Sequence, residues 1–65
     1  MLKKIKARYI GRVDPEYTPG KVYNIFPVKD FPNGEWIGAE NEYGEAYLMR
    51  AELFVPIEDE NKGNP

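Results

Sequence analysis

Apolar and polar residues alternate along the first stretch of the chain. Residues 3–9 read Lys-Lys-Ile-Lys-Ala-Arg-Tyr, with Ile5, Ala7 and Tyr9 interleaved with Lys4, Lys6 and Arg8. A period of two is the signature of a half-buried β-strand, and the match to a helical period is poor. The second apolar stretch, Val22 to Val28, is rich in β-branched and aromatic residues and reads as a strand. Pro27 cannot donate to a ladder, which assigns it to an edge or a bulge. Glu35 to Glu40 predicts a third strand and Ala46 to Met49 a fourth, joined by a tight hairpin over Glu42-Tyr43-Gly44-Glu45. Arg50 to Leu53 is helix-compatible but long enough only for a single 3-10 turn. Phe54 to Ile57 reads as a short last strand.

The segments between these strands are turn-forming. Gly11 to Lys21 contains Asp14-Pro15 and Thr18-Pro19-Gly20, a long polar loop that ends in a turn. Asp30-Phe31-Pro32-Asn33-Gly34 is a second turn cluster. The stretch from Glu58 is charged, polar and Gly/Pro-terminated, so the expected division is a folded unit over 1–58 and a frayed, flexible polar tail over 59–65. Five short strands with no covering helix bury an apolar face by folding the sheet onto itself, which predicts an all-β, small five-stranded barrel. Ile5, Ala7, Tyr23, Ile25, Ala39, Leu48 and Val55 are expected to share its core.

Composition narrows the chemistry. The 65 residues contain no cysteine and no histidine, which removes disulfides, thiolate nucleophiles, imidazole catalysis and the usual zinc ligands. A chain this short buries only about 60% of its unfolded surface, so stability is marginal. Without disulfides it fits a reducing, cytoplasmic setting. No apolar run follows Lys3, Lys4 and Lys6, so neither a signal peptide nor a membrane span is expected. Carboxylate pairs such as Glu40 with Glu42, or Glu45, lack the deep cleft that raises a catalytic pKa. The chain carries no phosphate loop, nucleophile elbow or metal spacing. We expect no enzyme activity, no metal and no cofactor.

Charge is asymmetric although the net charge is only −2. Residues 1–12 carry five cations and no acid, and residues 30–60 carry nine acids against Arg50 alone. Such asymmetry can mark a nucleic-acid-binding arm. The simpler reading is a basic strand beside acidic strands, where cross-strand pairs each contribute a few tenths of a kcal/mol.

The order of these elements resembles the SH3 domain. Ala7-Arg8-Tyr9 sits where that family has its Ala-Leu-Tyr opening. Thr18-Pro19-Gly20-Lys21-Val22-Tyr23-Asn24-Ile25 is similar to its Lys-x-Gly-Asp-x-Leu-x-Ile segment, and Glu35-Trp36-Ile37-Gly38-Ala39 to its Asp/Glu-Trp-Trp-x-Ala strand. Gly44-Glu45-Ala46-Tyr47-Leu48 resembles the Gly-x-x-Gly-Tyr-Ile/Val stretch, and Ala51-Glu52-Leu53-Phe54-Val55 stands where Ser-Asn-Tyr-Val lies. Gly20-Lys21-Val22-Tyr23-Asn24-Ile25, Gly44-Glu45-Ala46-Tyr47-Leu48 and Glu52-Leu53-Phe54-Val55-Pro56-Ile57 also resemble short SH3-like proteins of Bacillus-group bacteria and their phages.

The resemblance implies a binding function. In the SH3 family a row of aromatics forms a groove for polyproline II peptides. Tyr9, Trp36 and Tyr47 match groove positions, whereas Gly11, Leu53 and Met49 or Arg50 replace other groove residues. Asp14 and Glu16 lie where the family keeps acids that pair with a ligand's basic residue, and Tyr17 is a loop aromatic beside them. The expected partner-binding residues are therefore Tyr9, Asp14, Glu16, Tyr17, Trp36 and Tyr47. The expected role is a monomeric protein-interaction module with an unidentified protein or peptide partner, in the manner of a phage or prophage accessory protein acting on a host protein. The competing class is a single-stranded nucleic-acid-binding barrel, which Glu35, Glu40, Glu42 and Glu45 on the hairpin disfavour by repelling phosphate.

Overall fold

The computed structural model describes residues 3–28 and 34–62. The elements are β1 (Ile5–Tyr9), β2 (Val22–Pro27), β3 (Trp36–Glu40), β4 (Ala46–Arg50), a 3-10 turn over Ala51–Leu53, β5 (Phe54–Pro56) and α1 (Ile57–Lys62). The strands form one antiparallel sheet in the order β4-β3-β2-β1-β5. Each of β1 to β4 pairs with its sequence neighbour, and β5 returns to the free side of β1. The sheet is not closed among the described residues: β4 and β5 are its two edges.

The core sits on one face of this sheet. Ala7, Tyr9, Tyr17, Tyr23, Ile25, Ile37, Ala39 and Phe54 are buried, with Met49, Ala51 and Leu53 packed against them. The alternation in β1 carries Ala7 and Tyr9 inward, and the register sets Tyr23 opposite Ala7 and Ile25 opposite Ile5. Four aromatic rings dominate the interior. Tyr17 lies 5.6 Å from Tyr9, 5.1 Å from Tyr23 and 6.0 Å from Phe54, in tilted or edge-on arrangements that suit ring quadrupoles.

Three expected core positions differ. Leu48 is 46% exposed, Ile5 lies at 36%, and Val55 is only half-buried. The pairing of β3 with β4 explains Leu48: it stands opposite Gly38, while Met49 stands opposite Ile37. Side chains alternate across a strand, so Met49 takes the core side and Leu48 the other. Val55 pairs with Arg8, on the outer side of β1.

Two glycines have local causes. Gly44 has a φ of +81° and its N–H donates to Asn41 O, closing the β3–β4 hairpin with a residue that tolerates the left-handed region. A Cβ on Gly38 would collide with the ring of Phe26 on the neighbouring strand.

The chain after β5 forms a short helix over residues expected to be frayed. Glu58, Asp59 and Glu60 occupy its first turn, where acids oppose the helix dipole favourably. Arg8 Nε donates to Glu60 Oε2 at 2.9 Å, tying the helix to β1. Residues 63–65 of the expected tail, and Phe31 with most of its turn cluster, lie outside the described residues. No helix among the described residues is long and apolar enough to cross a membrane.

Candidate functional site

The six residues expected to bind a partner fall into separate places. Tyr9 and Tyr17 are core residues, 3% and 2% exposed. The Tyr9 hydroxyl donates to Arg12 O at 2.7 Å, and the Tyr17 hydroxyl donates to Ala39 O at 2.6 Å. Burial raises both phenol pKa values, that of Tyr17 to about 12. Their rings therefore anchor the β1–β2 loop from within. A buried loop tyrosine leaves no periodic trace, which is why sequence reasoning reads Tyr17 as exposed.

Trp36 and Tyr47 do not share a face. Trp36 stands opposite Arg50, whose guanidinium lies 5.3 Å from the indole centroid, a cation–π distance. Tyr47 stands opposite Ala39, a core residue, and so belongs to the other side of the β3–β4 ribbon. It remains 44% exposed because it lies near the end of an edge strand.

Glu16 does come together with Tyr47, and Asp14 shapes the loop that carries it. The loop tip is folded back by reciprocal backbone bonds between Asp14 and Tyr17, and Asp14 Oδ1 accepts the Glu16 N–H at 2.8 Å. Glu16 then meets the β3–β4 hairpin through Asn41, which is buried. Asn41 Nδ2 donates to Glu16 Oε2 at 2.6 Å and to Glu45 Oε1 at 3.3 Å. The Tyr47 hydroxyl donates to the same Glu45 oxygen at 3.3 Å. The Glu45 and Glu16 charges, in that order, raise the Tyr47 pKa. Asn41 is the residue of this cluster that sequence reasoning misses; its signal is an asparagine at the start of a tight hairpin, where an amide caps the turn.

Four cations of the described residues pair with other acids. Lys4 pairs with Glu40, Arg8 with Glu60, Lys21 with Glu42 and Arg50 with Glu52. Among the described residues Asp14, Glu16 and Glu45 have no cationic partner. A pair of carboxylates held by a buried amide, beside a half-exposed phenol, can take a guanidinium or ammonium by charge-assisted hydrogen bonds and by its ring face. No group of three or more Asp or Glu side chains is gathered tightly enough among the described residues to hold a metal ion.

Comparison with protein-family models, curated proteins and solved structures finds no match to the chain.

Proposed function

We propose that the protein is a non-enzymatic protein-interaction module on an SH3-like barrel, and that it takes a Lys- or Arg-bearing segment of a protein partner. The fold part of this reading is supported by the strand order β4-β3-β2-β1-β5, by the long loop between β1 and β2, and by the 3-10 turn between β4 and β5. The binding part is carried by one observation: Glu16 and Glu45, without a cationic partner among the described residues, are bridged by Asn41 beside the exposed Tyr47. Tyr47, Asp14 and Glu16 belong to the binding face, and Tyr9 and Tyr17 hold the loop that presents it. Trp36 lies on the opposite side with Arg50 and is not part of this face. A phage or prophage accessory role, against a host protein with a basic surface, falls within the same reading.

Single-stranded nucleic acid is the weaker alternative. Lys4 and Arg8 of the basic strand are already engaged by Glu40 and Glu60, and the face at Tyr47 is acidic.

The test is capture from the native host by tagged wild-type protein and by a Glu16→Gln/Tyr47→Ala variant. Both replaced side chains lie outside the core, so the melting temperature should stay close to wild type. A basic partner retained by the wild type and lost by the variant, with binding weakened by salt, supports the reading. Equal capture by both proteins overturns it. Fluorescence anisotropy with mixed-sequence DNA and RNA oligomers tests the alternative, which gains the lead if binding shows a steep salt slope.

A further inference from the structure

The two edges of the sheet are protected very differently. Strand β5 is three residues long, ends in Pro56 and runs directly into α1. Strand β4 is five residues long, in unbroken register with β3, and is followed on its outer side by no strand among the described residues. Alternate N–H and C=O groups along Ala46–Arg50 therefore point outward from the sheet. Edge strands are ordinarily blunted by a central charge, a proline, a bulge or a covering element. Ala46-Tyr47-Leu48-Met49 contains no charge and no proline, and Tyr47 and Leu48 are 44% and 46% exposed.

We infer that β4 is a self-pairing edge, onto which β4 of a second copy adds antiparallel about a two-fold axis through Leu48. The register is decided by the residues. A two-fold normal to the sheet keeps each face on its own side, so the axis must pass through a residue and not between two. Centred on Tyr47, Met49 would face the Glu45 carboxylate. Centred on Met49, Leu48 would face Arg50, and Tyr47 would face Ala51, which has left the strand for the 3-10 turn.

Centred on Leu48, every residue of the strand has a strand partner. Leu48 meets Leu48 on one face, and Tyr47 meets Met49 twice on the other, an aromatic–thioether contact of the favourable kind. Arg50 stands opposite Ala46, the smallest side chain of the strand. Charge permits this arrangement. Arg50 stays on the Leu48 face beside Trp36 and Glu45 lies towards the Tyr47 face, so the register sets no like charges directly opposite one another.

The assembly departs from the monomer expected from sequence and has a consequence for binding. The two-fold leaves the Glu16–Glu45–Tyr47 faces of both copies on one side of a continuous sheet. Two weak sites in one dimer then engage a partner by avidity. This consequence rests on the proposed function, whereas the pairing does not.

The chain has no cysteine, so Leu48→Cys places a single thiol on the axis. Directly opposed residues of an antiparallel pair have Cα atoms about 4.5–5.5 Å apart, within the Cα span of a disulfide. Mild oxidation should convert Leu48→Cys rapidly to a linked dimer. Val13→Cys, at a loop position 86% exposed, should stay largely unlinked under the same conditions. In sedimentation equilibrium over a concentration series the wild type should approach twice its 7.5 kDa mass. Leu48→Lys should remain a folded monomer whose melting temperature does not vary with protein concentration, whereas that of the wild type rises with it. A wild type that stays monomeric throughout, a dimer that survives Leu48→Lys, or equal cross-linking at Val13→Cys would each overturn the inference.

Discussion

Asn41 Nδ2 and Glu16 Oε2 lie 2.6 Å apart, and this bond joins the β1–β2 loop to the β3–β4 hairpin. The same asparagine organises the hairpin, since its Oδ1 accepts the N–H groups of Tyr43 and Glu45 at 2.9 Å each. Asn41→Ala strands two backbone donors and frees the loop, at a cost of about 1–3 kcal/mol. Asn41→Asp keeps the acceptors but sets a carboxylate against Glu16 and Glu45. Its folded-state pKa is then raised, so the variant loses stability as pH rises and regains it in acid. Urea unfolding at neutral and acidic pH distinguishes the two variants; a pH-independent penalty for Asn41→Asp would remove Glu16 from this network.

Tyr17 offers the second pH-dependent test. Burial, and after it the Glu16 charge, pushes its phenol from 10.0 up to about 12. Between these values the folded chain holds a proton that the unfolded chain releases. Stability is complete below pH 10 and falls as pH approaches 12. Tyr9 and Lys21 are raised as well, so Tyr17→Phe flattens the decline without abolishing it. At neutral pH the same variant removes the hydroxyl bond to Ala39 O and costs about 1 kcal/mol. Unfolding free energies measured from pH 8 upward for both proteins check the slope.

Leu48 and Met49 show how far the sequence was legible. Alternation in β1 and the glycine at the hairpin locate strands and turns because their physical signal is local. In Ala46-Tyr47-Leu48-Met49 four consecutive apolar residues give no phase, and only pairing with β3 decides that Met49 faces inward. Tyr17 was hidden for the related reason that a loop folding back onto a core has no period. The six-residue α1 was hidden because its acids read equally well as a solvated tail. Of the candidate site, the acids and Tyr47 were legible by residue type, but the Asn41 bridge was not. Leu48→Ala is accordingly expected to change stability by less than about 1 kcal/mol, while Ile37→Ala costs about 2–5 and Phe54→Ala about 3–5 kcal/mol. In a domain this small either core variant should be largely unfolded at room temperature. Circular dichroism melts of the three variants decide, and a large loss at Leu48 would reverse the assigned phase of β4.

Gly38 and Phe26 supply the last prediction. They are paired across β2 and β3, and the Phe26 ring occupies the space a Gly38 side chain would fill. Glycine in a strand forfeits packing and backbone rigidity, and an aromatic ring laid over it by the neighbouring strand restores the lost cover. Gly38 has no positive φ, so the glycine is required by the ring and not by the backbone. Gly38→Ala should then expel the ring into solvent and destabilise the protein by about 1–3 kcal/mol, the usual range for overpacking. With the ring already removed by Phe26→Ala, the same Gly38→Ala change meets open space and gains the rigidity of a β-carbon, so it should be neutral or stabilising. The two substitutions are therefore strongly non-additive, and a double-mutant cycle measures the coupling directly. Additive penalties would show that Phe26 does not rest on Gly38.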